Sequence, residues 1–466
     1  MSKIKFGTDG WRAIIAQDYT VDNVKRVAEA TAKWLLERNG SKVVIGYDCR
    51  FGGPLFTEVT AQVLGAHGIK VFLAKDFIST PMVSLGVVKM KADLGVVITA
   101  SHNPPSYNGF KLKSNLGGPM VQAGISEVEA LIPDEAPDLK LPSLDEMQTK
   151  GLLEYQDFEQ IYLDHVADKF DLEAIRNSGI RIAYDGMYGA GQNAARRLFP
   201  NAVLLHCDYN PSFRGQAPEP IHRNLSELSK LIAGDPQITL GIANDGDADR
   251  IGMYDQDGNF VDSHHILLLL LLYMGKYRKE SGKVVVTFSV TDKMKKLAEK
   301  FGLEVEVTKI GFKYIAEIMA HEDVIVGGEE SGGLAVKGHI PERDGLWIGL
   351  MVLEFMAKTG KTIKALIDEV YALVGPFASD RDDLHITNEE KNAVIETCKT
   401  NPYKAFGKYQ VQALETIDGF KFNLDDDKWV MIRPSGTEPV LRVYAQAPDQ
   451  DEVRSILDAT RATLGV

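Results

Sequence analysis

Residues 96–113, VVITASHNPPSYNGFKLK, run from an apolar segment into a loop of Asn, Pro and Gly that presents Ser101 beside His102, with Lys111 soon after. Such a pair suits a nucleophile with its base, an element of a metal site, or a carrier of a phosphoryl group. Ser and Asn that bond their own loop backbone are the plain structural alternative. A hydrolytic triad suits least, because no G-x-S-x-G elbow occurs in the chain and adjacency in sequence does not produce triad geometry.

The stretch NDGDADR places Asp245, Asp247 and Asp249 at alternate positions after an apolar run. In extended chain that spacing puts the side chains on one face, where three carboxylates repel unless a cation neutralises them. All-oxygen donors favour a hard cation such as Mg2+. The EF-hand reading fails, because its required Gly and Glu are replaced by Arg250 and Gln256. Arg250 instead suits a phosphate held beside a metal; an acidic surface turn is the alternative.

Two further loops carry polar groups. RPSGTEP (433–439) offers the Arg433 guanidinium and the Ser435 and Thr437 hydroxyls, with Gly436 allowing close amide approach to an anion. GGEESGG (327–333) sets Glu329, Glu330 and Ser331 between glycines, where they suit sugar hydroxyls. A hairpin turn and a solvated acidic loop are the respective alternatives. YGAGQNA (188–194) matches the outline of a dinucleotide fingerprint, but reads better as a helix start packed on its sheet. His264 and His265 read as a helix entry rather than a metal site. No G-x-x-x-x-G-K-[ST] occurs, which excludes a P-loop NTPase.

These loops need rigid elements behind them. KVVIGYD (42–48), IKVFLAK and ADLGVVITA alternate with amphipathic stretches, among them one with Val24, Val27, Ala28, Trp34 and Leu35 at helical spacing behind a Thr20 N-cap. The pattern restarts with IRIAYDGM (180–187), ITLGIANDGDADR (238–250), KVVVTFS (283–289) and DVIVGGEESGG (323–333), each an apolar run entering a polar or Gly-rich turn. Alternation of this kind signals parallel α/β layers, with ligands beyond the C-terminal strand ends. WVMIRPSGTEPVLRVYAQA (429–447) instead reads as two strands around a turn, followed by a closing helix from Asp449.

With linkers at 132–146 and around Gly375-Pro376, the expected organisation is three α/β domains, 1–150, 151–255 and 256–373, and a smaller α+β domain, 374–466. A chain of 466 residues is long enough for several cores. The balance of 52 basic against 65 acidic residues, −13 overall, argues against nucleic acid or an anionic membrane as the main partner. Cys49, Cys207 and Cys398 have no C-x-x-C spacing, so neither a disulfide framework nor a zinc site is indicated. ILLLLLLYM (266–274) is far shorter than the roughly 20 residues a membrane span needs and reads as a buried helix. The start of the chain shows no apolar leader, and the cytoplasm is the expected compartment.

Taken in order, FGTDGWR (6–12), TASHNP (99–104), NGFK (108–111), DGDADR (245–250), GEESGG (328–333) and RPSGTEP (433–439) resemble the motifs of the α-D-phosphohexomutase family over essentially the whole chain. The resemblance implies three similar α/β/α domains with mixed, mainly parallel sheets and a smaller C-terminal α+β domain, arranged around a central cleft. It implies that Ser101 carries a phosphoryl group supported by His102. Mg2+ would be bound by Asp245, Asp247, Asp249 and phospho-Ser101. Lys111 and Arg12 would have general acid/base or electrostatic roles, and Arg250 would add charge at the transferring group. Glu329 and Ser331 would read sugar hydroxyls, Gly311 and Lys313 would form a second substrate loop, and Arg433, Ser435, Gly436 and Thr437 would clamp the non-reacting phosphate.

The family's phosphomannomutase/phosphoglucomutase branch usually ends the sugar loop as GEMSGH and its phosphoglucosamine branch as GEQSGH. GEESGG and the GFK of 311–313 are closer to phosphoglucomutases. The expected activity is therefore interconversion of glucose 1-phosphate and glucose 6-phosphate through glucose 1,6-bisphosphate, with hexose phosphates as partners. The alternatives within this chemistry are a glucose-1,6-bisphosphate synthase charged by a donor such as fructose 1,6-bisphosphate, and a phosphomannomutase or phosphoglucosamine mutase. Outside it stand a catalytically silent sugar-phosphate-binding protein and, on YGAGQNA alone, a dinucleotide oxidoreductase.

Overall fold

The computed structural model describes residues 3–7, 9–425, 427–434 and 440–465. The first sheet is built from β1 (Trp11–Ile14), β2 (Lys42–Tyr47), β3 (Lys70–Ala74), β4 (Leu94–Ile98), β5 (Tyr107–Ser114) and β6 (Leu153–Gln156), in the order β1-β5-β4-β2-β3-β6. Its central strands are apolar runs buried on both faces, as parallel strands covered by helices must be. Helix Val21–Leu36 covers one face; Thr20 caps it by accepting from the Asn23 amide, and Val24, Val27 and Leu35 are buried beneath it. β6 pairs with β3, so the first sheet closes just past the boundary expected at residue 150.

The second sheet contains β7 (Ile182–Asp185), β8 (Val203–Leu205), β9 (Leu240–Asn244), β10 (Ile251–Tyr254) and β11 (Phe260–Val261), in the order β11-β10-β9-β7-β8. The third contains β12 (Lys283–Thr287), β13 (Val305–Thr308), β14 (Val324–Gly328) and β15 (Leu334–Val336), in the order β13-β12-β14-β15.

A shared plan underlies these three sheets. In each, a parallel core ends in a strand that turns back as an antiparallel neighbour: β4 into β5, β9 into β10, β14 into β15. The sheets are thus mixed rather than wholly parallel, and the turns between those pairs are TASHNP, DGDADR and EESGG. Equivalent places in three domains carry the three chemical loops.

The ILLLLLLYM run lies in helix Ser263–Leu271 and the π-helical turn Leu272–Tyr277, with Ile266 to Leu272 buried all round. Asp262 caps that helix, and His265 stands in its first turn. Among the described residues no helix is long and apolar enough to cross a membrane. One continuous apolar cluster joins residues of all three α/β domains, from Val44 and Phe158 through Leu240 to Val352.

The last domain follows Gly375, whose φ of 81° ends helix Ile363–Val374 in a conformation suited to glycine. It contains β16 (Ala378–His385), the short pair β17 (Ala405–Phe406) and β18 (Tyr409–Gln410), then β19 (Ala413–Glu415), β20 (Phe420–Asp425), β21 (Lys428–Pro434) and β22 (Val440–Ala447). The main sheet, β16-β22-β21-β20-β19, is entirely antiparallel. Helix Gln450–Leu464 closes it, capped by Asp449. The three cysteines are free and buried.

Candidate active site

Ser101 sits at the β4–β5 turn, 1% exposed, with φ of 50° in the left-handed region. Such a backbone costs energy in a non-glycine residue and persists only where its surroundings fix it. Arg50 does the fixing. Its buried guanidinium donates to the carbonyl oxygens of Ser101 and Asn103 at 2.6 Å each, of Pro104 at 2.9 Å and of Tyr107 at 3.0 Å. Asp48 lies 3.3 Å from Arg50 Nε and accepts from the Thr99 hydroxyl at 2.5 Å. Burial raises the Asp48 carboxyl to about 6 against the pull of Arg50.

Ser101 Oγ donates to Asp245 Oδ2 at 2.7 Å and stands 3.4 Å from His102 Nδ1. Burial holds the His102 imidazole well below its ordinary value, and the neighbouring Arg250 and Arg12 reinforce this, so it is neutral at pH 7. The approach of the two loops is close enough that a Cβ at Gly246 would meet the Ser101 carbonyl oxygen at 2.5 Å. Glycine is required there.

The three aspartates do not converge by lying along extended chain, as their alternation suggested. They sit in a tight turn in which Ala248 takes a φ of 57°, and one oxygen of each lies within 4.8 Å of the others. YGAGQNA supports this turn: a Cβ at Gly189 would meet the Asp245 carbonyl oxygen at 2.6 Å, and the Ala190 amide donates to the Gly246 carbonyl at 2.9 Å. Its glycines accommodate the aspartate loop, and helix Gln192–Leu198 follows.

Asp245, Asp247, Asp249 and Lys111 have no measurable exposure. Lys111 reaches them from β5, where the two-residue period of NGFKLKS turns Lys111 and Lys113 to one face. Its ammonium lies 2.8 Å from Asp247 Oδ2, 3.3 Å from Asp249 Oδ2 and 2.8 Å from Asp9 Oδ2. Burial disfavours its charge, but the three carboxylates outweigh burial and raise it above the ordinary lysine value. Asp247, despite burial, is held below the carboxylate range by Lys111, and it also accepts from the Thr80 hydroxyl at 2.6 Å. Asp245 is pushed up, by burial first and then by its two acidic neighbours.

Asp247 Oδ1 and Asp249 Oδ1 are buried with no hydrogen-bond partner among the described residues. Two orphaned oxygens, in a trio of aspartates whose carboxylates gather within 4.8 Å and one of which accepts from the serine hydroxyl, fit a hard cation, which takes oxygen donors of this kind.

Domain III joins through Arg343, a residue that no sequence motif marks. Its guanidinium lies 2.6 Å from Asp9 Oδ2, 2.6 Å from Asp249 Oδ2 and 3.8 Å from Glu329 Oε2, so it touches loops from three domains. Asp344 anchors its loop by accepting from the Tyr162 hydroxyl and the Trp347 amide at 3.0 Å each. The Ile251 amide, just past Arg250, donates to the Gly332 carbonyl at 3.1 Å, stitching the aspartate loop to the GEESGG loop. Glu329 is 5% exposed, and burial raises its carboxyl to about 7. Glu330 instead accepts from the Ser289 hydroxyl, and Ser331 is half-buried in the same turn.

The remaining expected residues are more dispersed. Arg12 donates to Asn103 Oδ1 at 2.6 Å, and burial lowers its guanidinium below the ordinary arginine value. Arg250 is held by its amide on Asp245 Oδ1 at 3.0 Å. Gly311, with φ of 135°, precedes helix Phe312–His321, while Lys313 donates to Gln122 of the first domain at 2.6 Å rather than to Glu329 or Ser331. Ser435, Gly436 and Thr437 lie outside the described residues. Arg433 at the end of β21 faces Arg442 directly across the ladder, and Arg381 faces Tyr444 one strand further. Asp9, Arg50, Lys113, Arg343, Arg381 and Arg442 were not singled out in the sequence; Asp9 lies inside FGTDGWR and Lys113 repeats the strand period of Lys111, so both carried a signal.

Family models describe the same organisation. Phosphoglucomutase/phosphomannomutase α/β/α domains I, II and III match residues 3–138, 160–258 and 262–374, and the C-terminal domain of that family matches 389–463. The chain belongs to the phosphoglucomutase/phosphomannomutase family and is an enzyme of the phosphohexomutase type. It is 31% identical to a probable phosphoglucosamine mutase of Methanosphaera stadtmanae over 97% of this chain and 96% of that one. A phosphoglucomutase/phosphomannomutase of Thermococcus kodakarensis is 29% identical, again over 97% and 96%. A crystal structure of a Thermus thermophilus protein assigned as a phosphomannomutase superposes with a TM-score of 0.88 at 33% identity, covering 100% of both chains.

Proposed function

We propose that this phosphohexomutase interconverts glucose 1-phosphate and glucose 6-phosphate, with Ser101 as the phosphoryl carrier and glucose 1,6-bisphosphate as the intermediate that turns over in the cleft. The observation that carries the assignment is the 2.7 Å contact of Ser101 Oγ with Asp245 inside a buried set of carboxylates. Phosphoryl transfer needs positioning and charge neutralisation more than covalent ingenuity. Mg2+, held by Asp245, Asp247 and Asp249 with an oxygen of phospho-Ser101, would supply that neutralisation.

In the forward cycle a hydroxyl of the sugar monophosphate attacks the phosphorus, its new O–P bond forming as the bond from Ser101 Oγ to phosphorus breaks and its proton ending on the freed serine oxygen, and the returning step reverses this with the other phosphate. Lys111, pinned by three carboxylates, serves as a fixed positive charge rather than a base. Neutral His102 supports the serine oxygen. Arg12 and Arg250 flank the transferring group, Glu329 and Ser331 accept sugar hydroxyls in either orientation, and Arg433 with its neighbours Arg442 and Arg381 holds the distal phosphate. Glucose is favoured over mannose and glucosamine because the sugar loop reads GEESGG, with no histidine at Gly333.

Turnover of glucose, mannose and glucosamine 1-phosphates with catalytic glucose 1,6-bisphosphate tests the reading. Glucose 6-phosphate formation with a phosphorylated Ser101 is expected. Stoichiometric accumulation of bisphosphate from a monophosphate and fructose 1,6-bisphosphate would mark a synthase instead, and absence of any phosphoenzyme would mark a silent binding protein.

A further inference from the structure

Gly333 and Arg343 are a steric couple. A Cβ at Gly333 would strike Arg343 Cδ and would stand 3.2 Å from both Arg343 Cγ and Glu329 Oε2. The Arg343 side chain therefore occupies the room a larger residue 333 would need, and a larger side chain there must displace it against the Asp9 and Asp249 ion pairs that hold its guanidinium at 2.6 Å each. Its NH1 stands 3.8 Å from Glu329, the carboxylate assigned above to sugar hydroxyls. Glu330, the neighbouring acid, is engaged by Ser289 and, at 3.4 Å, by Thr287.

The sugar loop thus meets its ligand with a counter-ion already seated at Glu329. A neutral sugar needs only an acceptor for its hydroxyls and is unaffected by that cation. An ammonium group on the sugar finds Glu329 already facing a guanidinium that Asp9 and Asp249 keep buried and fixed, so it gains no free counter-charge there and lies beside a like charge at reduced dielectric.

We infer that the Gly333–Arg343 pair sets sugar choice, admitting neutral hexose phosphates and rejecting 2-amino sugar phosphates. The inference rests on the phosphohexomutase reading and names its substrate class. The discrimination expected from a fixed charge at this range is on the order of 10- to 100-fold.

The test uses full-length enzyme phosphorylated by glucose 1,6-bisphosphate and follows, by intact mass, discharge of Ser101 by glucose 1-phosphate and by glucosamine 1-phosphate. The ratio of the two rates is independent of how much of a variant is folded, and single-turnover discharge stays readable in slow variants. Wild type is expected to favour the glucose compound by about tenfold or more, and the ratio is expected to fall towards one in Arg343→Met and in Gly333→His, which evicts the guanidinium. Equal rates in wild type, or a ratio unchanged in both variants, would overturn the inference while leaving the mutase reading intact. Loss of discharge by both sugars in both variants would also overturn it, since Arg343 would then serve transfer itself. No phosphoserine in wild type would sink the mutase reading, and the inference with it.

Discussion

The seam between domains I, II and III and the arginine face of domain IV handle charge in opposite ways. At the seam the ions are buried and answered: Lys111 meets three carboxylates, Arg343 meets Asp9 and Asp249, and Lys113 donates to Glu342 at 2.6 Å. On domain IV, Arg433 and Arg442 stand opposite each other with 20% and 32% of their side chains exposed, and among the described residues their acidic partners are Asp418 and Asp383, one each, at 3.3 and 3.8 Å. Like charges directly opposed across a ladder are unfavourable. The first region is a preassembled electrostatic environment; in the second, two like charges face each other with part of their surface open to solvent. In the proposed cycle, transfer takes place at the first and the second holds the distal phosphate.

The largest effect expected is at the seam. Ser101→Ala removes the carrier, so no phosphoenzyme forms, and mutase turnover falls by at least about 10^4-fold, as for other residues that act as the reacting group. Its thermal unfolding should stay near wild type, because the lost hydroxyl leaves a small polar gap. A coupled assay for glucose 6-phosphate and an intact-mass measurement check both parts. Retention of a phosphorylated species would move the carrier elsewhere and dissolve the comparison.

Next comes Lys111→Met. Removing one partner from a buried ion network leaves uncompensated charge, worth about 3–5 kcal/mol, and here three carboxylates lose the same ammonium. Denaturant unfolding should show that loss in the α/β domains while Arg442→Met shows almost none. If Lys111→Met proves as stable as wild type, the seam is not the tightly balanced network its distances describe.

Much of this is legible in the sequence. Apolar runs ending in polar turns locate the strands, and TASHNP, DGDADR and EESGG carry enough chemistry to mark their loops. Single-residue patterns cannot supply the partners that act across domains. Arg50 fixes the serine loop from the end of a different strand, and Arg343 reaches Asp9 from more than three hundred positions away, its hydrogen bond spanning 334 residues. Neither stands in a stretch whose composition announces chemistry. The aspartate spacing points rightly to convergence but for the wrong local reason, since a turn with a left-handed Ala248, not a strand face, brings the oxygens together. The sheets mix directions because each chemical loop is a hairpin, which apolar periodicity does not reveal.

Arg442→Met tests the other side of the comparison. A charge-assisted contact to phosphate is worth about 1.5–3 kcal/mol, so KM for glucose 1-phosphate should rise roughly 10- to 100-fold, with kcat and unfolding little changed. Arg433→Met should behave alike, and the double variant should lose less than the product of the two, because both address one anion. A fall in kcat with unchanged KM would place these arginines in the chemical step.

The smallest effect is a pH dependence within the sugar loop. Burial raises the Glu329 carboxyl to about 7, against about 4.3 for an exposed glutamate. A group whose folded value is raised holds its proton more tightly when folded, so its contribution to stability is greatest below the unfolded value and declines as pH rises from there to about 7, levelling off above. Sugar binding runs the other way. The ionised carboxylate is the better hydroxyl acceptor, so kcat/KM should climb through pH 7, gaining about tenfold between pH 6 and 8 for a single group of this kind. Glu329→Gln removes that limb while leaving any titration of the substrate phosphate in place, so the difference between the two profiles isolates the residue. Coincident profiles would show that Glu329 is already ionised at pH 6, with Arg343 rather than burial governing its charge.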